Sequence, residues 1–246
     1  MHATKPAAIA LAALAIVPAA ALAATIDGGP GNERLRGTQA PDRIDGNQGD
    51  DRIWGLDAAD TLIGGAGNDV VRGGPGDDEI RGDANLVGDR TSFDRLFGGR
   101  GNDTLRGGDS RDRIHGGPGN DTSFGEHGRD LMFGEGGDDT QHGNGGDDVI
   151  RSGRGVDVAF GGDGDDVLRA GAPRDVEGPN DQVGDTLDGG AGDDRFRTRD
   201  GEVDRITCGP GHDVAFLDGR DVLVDATAED PDGSCERVVR RPARRR

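Results

Sequence analysis

The residues of this chain best suited to chemistry are its aspartates, and what marks them is their spacing. They recur as Asp42, Asp51, Asp60, Asp69 and Asp78, then as Asp94, Asp103, Asp112, Asp121, Asp130, Asp139, Asp148, Asp157 and Asp166, and again as Asp185, Asp194, Asp204 and Asp213. Nearly every step within a run is nine residues. Two places after each of these eighteen stands a position that is mostly aliphatic, and Glu33, two places before Leu35, extends the series backwards. The clearest stretch is Gly64 to Gly82, GGAGNDVVRGGPGDDEIRG, with two copies of Gly-Gly-x-Gly-x-Asp-x-U-x in which U is Val71 and Ile80.

Each half of the unit has a physical role. Glycines adopt the left-handed and tightly turned conformations that a Cβ resists, and turns built from them can aim several carbonyls at one centre. The Asp adds a short carboxylate at the end of the turn. Carbonyls and carboxylates together form a hard, all-oxygen donor set, which suits Ca²⁺ with its six to eight flexible ligands better than Zn²⁺ or Cu²⁺. Turn chemistry alone would accept Asn or Ser where Asp stands eighteen times.

The elements that must hold these turns are short strands. In x-U-x the U side chain points inward while its neighbours, largely Thr, Val and Arg, point out. The U ladder runs Ile26, Leu35, Ile44, Ile53, Leu62, Val71 and Ile80, then Leu96, Leu105, Ile114, Ser123, Met132, Gln141, Ile150, Ala159 and Leu168, and more loosely Leu187, Phe196, Ile206 and Ala215. A fixed period of this kind is the mark of a solenoid.

On these residues the chain resembles the RTX, or hemolysin-type, calcium-binding nonapeptide repeat, over about Ile26 to Ala215. The resemblance implies an all-β fold, a right-handed parallel β-roll with two nonapeptides per coil of 18 residues. It also implies several calcium ions between successive loops along both edges, held by the eighteen aspartates and by loop carbonyls.

Composition agrees. With 47 Gly among 246 residues, no Tyr, 3% aromatic and 31% hydrophobic content, the chain cannot build an ordinary globular core. A net charge of −19 disfavours nucleic acid as a partner and favours cations. Residues 1–23 read as a secretory signal peptide, with His2 and Lys5 ahead of an apolar run and Ala21-Leu22-Ala23 as the cleavage site. No other stretch is apolar enough to span a bilayer. The expectation is a secreted, extracellular monomer.

The chain then divides into a first array (24–82), an interruption (83–93), a central array (94–170), a second interruption (171–184), degenerate repeats with a C-terminal cap (185–239) and a basic tail (240–246). In the first array GTQAPD (Gly37 to Asp42) and GLDAAD (Gly55 to Asp60) lack the middle Gly. They lie 18 residues apart, so one edge is expected to hold calcium poorly at its start. In the central array Ser123, Gln141 and Ala159 thin one wall of the core, while the next positions carry Phe97, His115, Phe124, Phe133, His142 and Phe160. Either Phe124 and Phe160 slip inward by one residue or tolerate exposure, or the aromatics form a contact surface for a cell-surface protein or glycan. Cys208 and Cys235, the only cysteines, are expected to pair in an exported protein and to staple the cap.

Catalytic patterns are missing. The sequence holds no His-Glu-x-x-His, no Gly-x-Ser-x-Gly and no phosphate-loop Lys-Ser/Thr after its Gly-rich turns. No enzyme is expected. The two functions carried forward are a secreted calcium-binding module that folds on export and acts as an extracellular structural or interaction protein, and a calcium-stabilised accessory to an extracellular activity such as polysaccharide processing.

Overall fold

A computed structural model describes residues 22–83, 92–171, 184–224 and 234–241. The expected leader up to residue 21, most of both interruptions and the last five residues of the tail lie outside the described residues. The described residues form 22 strands and no helix. Odd and even strands segregate into two sheets of eleven, each entirely parallel, so the chain winds as a parallel β-roll. One sheet runs from Thr25–Asp27 to Val222–Leu223, and the other from Arg34–Arg36 to Arg237–Arg240.

The nonapeptide dictates this winding. Asp precedes a strand whose central residue is buried between two more exposed neighbours, as in Arg52–Trp54 and Glu79–Arg81. The U positions face the interior from both sheets, and the apolar ones from Ile44 to Ala215 form one buried cluster with Ala170, the two cysteines, Leu217 and Leu223, while Ser123 and Gln141 put polar groups into the same interior. Ile26 and Leu35, on the first strand of each sheet, are only partly covered among the described residues. Glycines next to the strands let the coils approach. A Cβ on Gly65, which has φ +112°, would collide with the backbone of Asn47 one coil below.

The interruptions leave the winding intact. Val71 pairs with Leu96, and Ala159 with Leu187, as if the intervening residues were absent. The strands on either side of each interruption therefore occupy successive rungs of the same sheet. At the far end Cys208 and Cys235 are bonded, with Cα atoms 5.3 Å apart and both residues buried. The bond joins Cys208, which occupies the first Gly position of a repeat, to the segment leading into Arg237–Arg240.

The expectation that Phe124 and Phe160 might slip inward is corrected. Register pairs Ser123 with Gln141 and Gln141 with Ala159, all three buried, and keeps Phe124, His142 and Phe160 outside. Those rings stack on one another with centroids 4.9 and 4.8 Å apart. On the opposite face Phe97, His115 and Phe133 stack at 5.0 and 4.5 Å. Stacking across a strand spacing of about 4.8 Å satisfies the rings without moving the strand, whereas a one-residue slip would turn every side chain of that strand over. Gln141 consequently occupies the core with both amide atoms buried and unpartnered.

Candidate metal centres

Each aspartate of the series ends a turn and begins a strand, so its carboxylate lies along an edge of the roll. Eighteen-residue coils stack alternate repeats, which separates the series into two ladders. Along one edge run Asp42, Asp60, Asp78, Asp103, Asp121, Asp139, Asp157, Asp185 and Asp204. Along the other run Asp51, Asp69, Asp94, Asp112, Asp130, Asp148, Asp166, Asp194 and Asp213. Within each ladder Oδ1 of one Asp accepts the backbone N–H of the Asp one rung earlier, at 2.8 Å for Asp103 to Asp121 and 2.7 Å for Asp112 to Asp130. Hydrogen bonding thus fixes half of each carboxylate and aims the other half.

That second oxygen is the chemically informative atom. In sixteen of the eighteen aspartates Oδ2 is buried and has no hydrogen-bond partner. A buried unpaired carboxylate oxygen is costly, and so many at one repeated place call for a cation. The space beside it is kept open by the first Gly of the repeat. A Cβ on Gly64 would come within 2.5 Å of Asp69 Oδ2 and 2.6 Å of the Gly82 carbonyl oxygen from the next coil. A carboxylate oxygen and a carbonyl oxygen therefore share one small space, as a hard-cation site requires. Before Asp157 the first position is Ser152, whose hydroxyl is buried without a partner.

Without a cation these groups resist ionisation. Burial, reinforced by neighbouring carboxylates, raises Asp112, Asp148 and Asp157 to about 8 and Asp94 and Asp204 to about 9. Burial also raises Asp60, Asp121 and Asp130 to about 6.

Two rungs depart from the pattern. Asp42 accepts the Thr38 hydroxyl and the Thr38 amide, which engages both of its oxygens within its own GTQAPD turn. Asp185 Oδ2 accepts the Gly171 amide at 3.0 Å. Asp60 keeps a free Oδ2, because its GLDAAD turn preserves the loop shape by holding Leu56 and Ala58 at φ +95° and +82°. The two turns singled out as weak thus differ.

Four carboxylates escaped the sequence count, Asp221 and Glu236 in the ladders and Asp200 and Glu202 beside one of them. Asp221 Oδ1 accepts the Asp204 amide, and Glu236 accepts the Asp213 amide, so each ladder runs one rung further. Both stand two places before a strand residue, Leu223 and Val238, and that rule would have found them. Glu33 donates its amide to Asp51, so one ladder has Glu at each end. Asp200 and Glu202, in a turn with one extra residue, place carboxylate oxygens within 4.8 Å of Asp204.

A two-edged roll of stacked Gly-Asp turns, with inward aliphatics and orphaned carboxylate oxygens, defines a calcium-binding solenoid. Comparison with known families supports this directly. The family model for the RTX calcium-binding nonapeptide repeat matches residues 27–58, 54–85, 91–123, 124–141, 142–176 and 184–202. The chain belongs to that family, whose repeats bind Ca²⁺ at multiple sites and typically form structural, non-catalytic modules. No curated protein matches the chain.

Proposed function

We propose that this chain is a secreted calcium-dependent module that is expanded where calcium is scarce, folds outside the cell, and serves there as a structural or interaction element. The observation that carries this reading is the pair of carboxylate ladders with sixteen orphaned oxygens. Carboxylates one rung apart, at about 4.8 Å, repel by about 0.9 kcal/mol even at the dielectric of water, and by more where they are buried. Calcium reverses the sign of that interaction and ties adjacent coils together, so binding free energy becomes folding free energy.

The ligands in this reading are the sixteen aspartates with a free Oδ2, with loop carbonyls completing each site. Asp42 and Asp185 contribute less, since their second oxygens are engaged. Export is supported by the leader-like residues 1–23, by the Cys208–Cys235 bond and by the general secretion of RTX proteins from bacteria. Extracellular calcium modules work near 10⁻⁴ to 10⁻³ M, so the switch lies between cytosolic and external calcium.

Circular dichroism and hydrodynamic radius during a calcium titration, with Mg²⁺ as control, test the reading. A compact β-rich protein in excess chelator at pH 8 would refute it. Asp121→Ala combined with Asp139→Ala should raise the calcium midpoint and leave the final fold unchanged.

A further inference from the structure

One turn near the cap carries acidic chemistry that the nonapeptide does not have. From Phe196 to Ile206 the step is ten residues, and the extra residue falls in a turn that ends Asp200-Gly201-Glu202-Val203-Asp204. An ordinary turn buries one carboxylate, its last residue. This one buries two, Glu202 and Asp204, and half-buries a third, Asp200. A carboxylate oxygen from each of the three lies within 4.8 Å of the others.

Amides fix one oxygen and leave the other. Asp200 Oδ1 accepts the Glu202 N–H at 3.1 Å and Asp204 Oδ1 accepts the Asp185 N–H at 2.8 Å, while Oδ2 of each is buried without a hydrogen-bond partner. Leu217 pairs with Thr198, so Asp218 stands on the turn one coil further. It is fully buried, its Oδ1 accepts the Arg220 N–H at 2.7 Å, and its Oδ2 has no partner either. Burial, reinforced by the charges of Asp185 and Asp218, raises Asp200 to about 6, so these carboxylates face one another. Nearby guanidiniums bind backbone instead. Arg220 Nη1 donates to the Gly201 carbonyl at 3.0 Å, and Arg240 Nη1 donates to the Asp221 carbonyl at 3.0 Å. The next rung, Asp221, offers the cation little, because its Oδ2 accepts the Thr198 hydroxyl at 2.6 Å and the Asp218 N–H at 2.7 Å while its Oδ1 accepts the Asp204 N–H.

We propose that Asp200, Glu202 and Asp204 form a calcium site of their own, which the nonapeptide does not build and which holds its ion more tightly than the ladders hold theirs. The inference rests on the reading of the chain as calcium-dependent and adds to it one site of different rank. Charge sets the rank. The affinity of an oxygen site for Ca²⁺ is tuned by the number of its charged ligands and by its rigidity. A ladder turn contributes one free carboxylate oxygen beside loop carbonyls, whereas here three carboxylates converge from a single turn that Arg220 braces, with Asp218 behind them. Half-exposed Asp200 leaves the ion a way in from solvent. The same concentration of negative charge favours a trivalent hard cation over Ca²⁺ more steeply than a single carboxylate does, and that difference makes the site separable by experiment.

The test is a Tb³⁺ titration of the full chain, folded in calcium, followed by directly excited Tb³⁺ luminescence and by the calcium released. One equivalent of Tb³⁺ should enter ahead of the rest, with a preference of about tenfold, and displace one calcium. Asp200→Asn combined with Glu202→Gln should remove that first equivalent and lower the bound calcium by one ion, while circular dichroism of the calcium-loaded chain stays that of the parent. Asp121→Ala combined with Asp139→Ala, in the ladder, should keep the first equivalent, and this arm does not depend on how the cap variant folds. A titration with no distinct first equivalent, a cap variant that retains it, or a ladder variant that loses it would overturn this proposal alone. A parent chain that stays unfolded in calcium would overturn the functional reading beneath it as well.

Discussion

The backbone amide of Asp69 donates to Oδ1 of Asp94 at 2.7 Å across 25 residues, the same bond that Asp51 makes to Asp69 across 18. Seven additional residues therefore change nothing at the rung. Replacing residues 83–93 by Gly-Ala-Gly-Asn, the segment between Gly64 and Asp69, restores an uninterrupted repeat. The calcium midpoint for folding should stay within about twofold of the parent, because loop length acts weakly on stability. Circular dichroism titration of the two proteins makes the comparison, and loss of folding would show that the interruption is itself structural.

The first Gly of each repeat should be far less tolerant than glycines beside which there is open space. A Cβ on Gly116 would strike Asp121 Oδ2 and the Gly134 carbonyl, both on the cation side of the loop, whereas a Cβ on Gly136 would meet nothing within 4 Å. Gly116→Ala should cost about 1–3 kcal/mol, as overpacking does, and raise the calcium midpoint. Gly136→Ala should leave it unchanged. Calorimetry with calcium separates the two, and similar behaviour would remove the first Gly from the proposed sites.

Acid should substitute in part for calcium. In the metal-free roll burial raises the ladder carboxylates, to about 6 at Asp121, about 7 at Asp139 and about 9 at Asp94, while unfolded Asp titrates near 3.9. The folded state then binds more protons than the unfolded state across that interval. Its stability is fully present below about pH 4 and is lost as pH rises through about 6 to 9. With chelator present, β-structure should appear on acidification to about pH 4 and disappear at pH 8. At fixed low calcium the bound ions should decrease as pH falls, since protons compete for the same oxygens. A metal-free chain equally unfolded at both pH values would contradict the buried placement of these carboxylates.

Gln141 is the weak point of the core. Its amide is buried with neither atom partnered, on a wall where Ser123 and Ala159 are its rung neighbours. Gln141→Met keeps the volume and removes the orphaned polar atoms, so the calcium-loaded protein should gain about 1–3 kcal/mol. A raised thermal midpoint in calcium is the expected result, and a lowered one would mean that the amide is satisfied within the fold.

Much of this architecture was legible in residue order because the rule is local. Asp followed two places later by an aliphatic specifies a turn, a strand and an inward side chain within nine residues, and it identified the strands from Ile26 to Ala215, the acidic series and the calcium chemistry without reference to distant chain. Asp221 and Glu236 obey the same rule and were legible too, but irregular spacing at the cap hid them. The rest depended on which residues become rung neighbours. Counting could not show that Asp42 and Asp185 are satisfied by Thr38 and Gly171, because an orphaned oxygen is defined by the amides around it. Nor could it decide that Phe124, His142 and Phe160 stack outside rather than slip inward, a choice made by ring contacts between strands 18 residues apart. Arg151, Arg169 and Arg197 stand in a row only because a 28-residue coil and an 18-residue coil close on the same register, so that separation along the chain disappears and strand spacing alone sets the distance between charges.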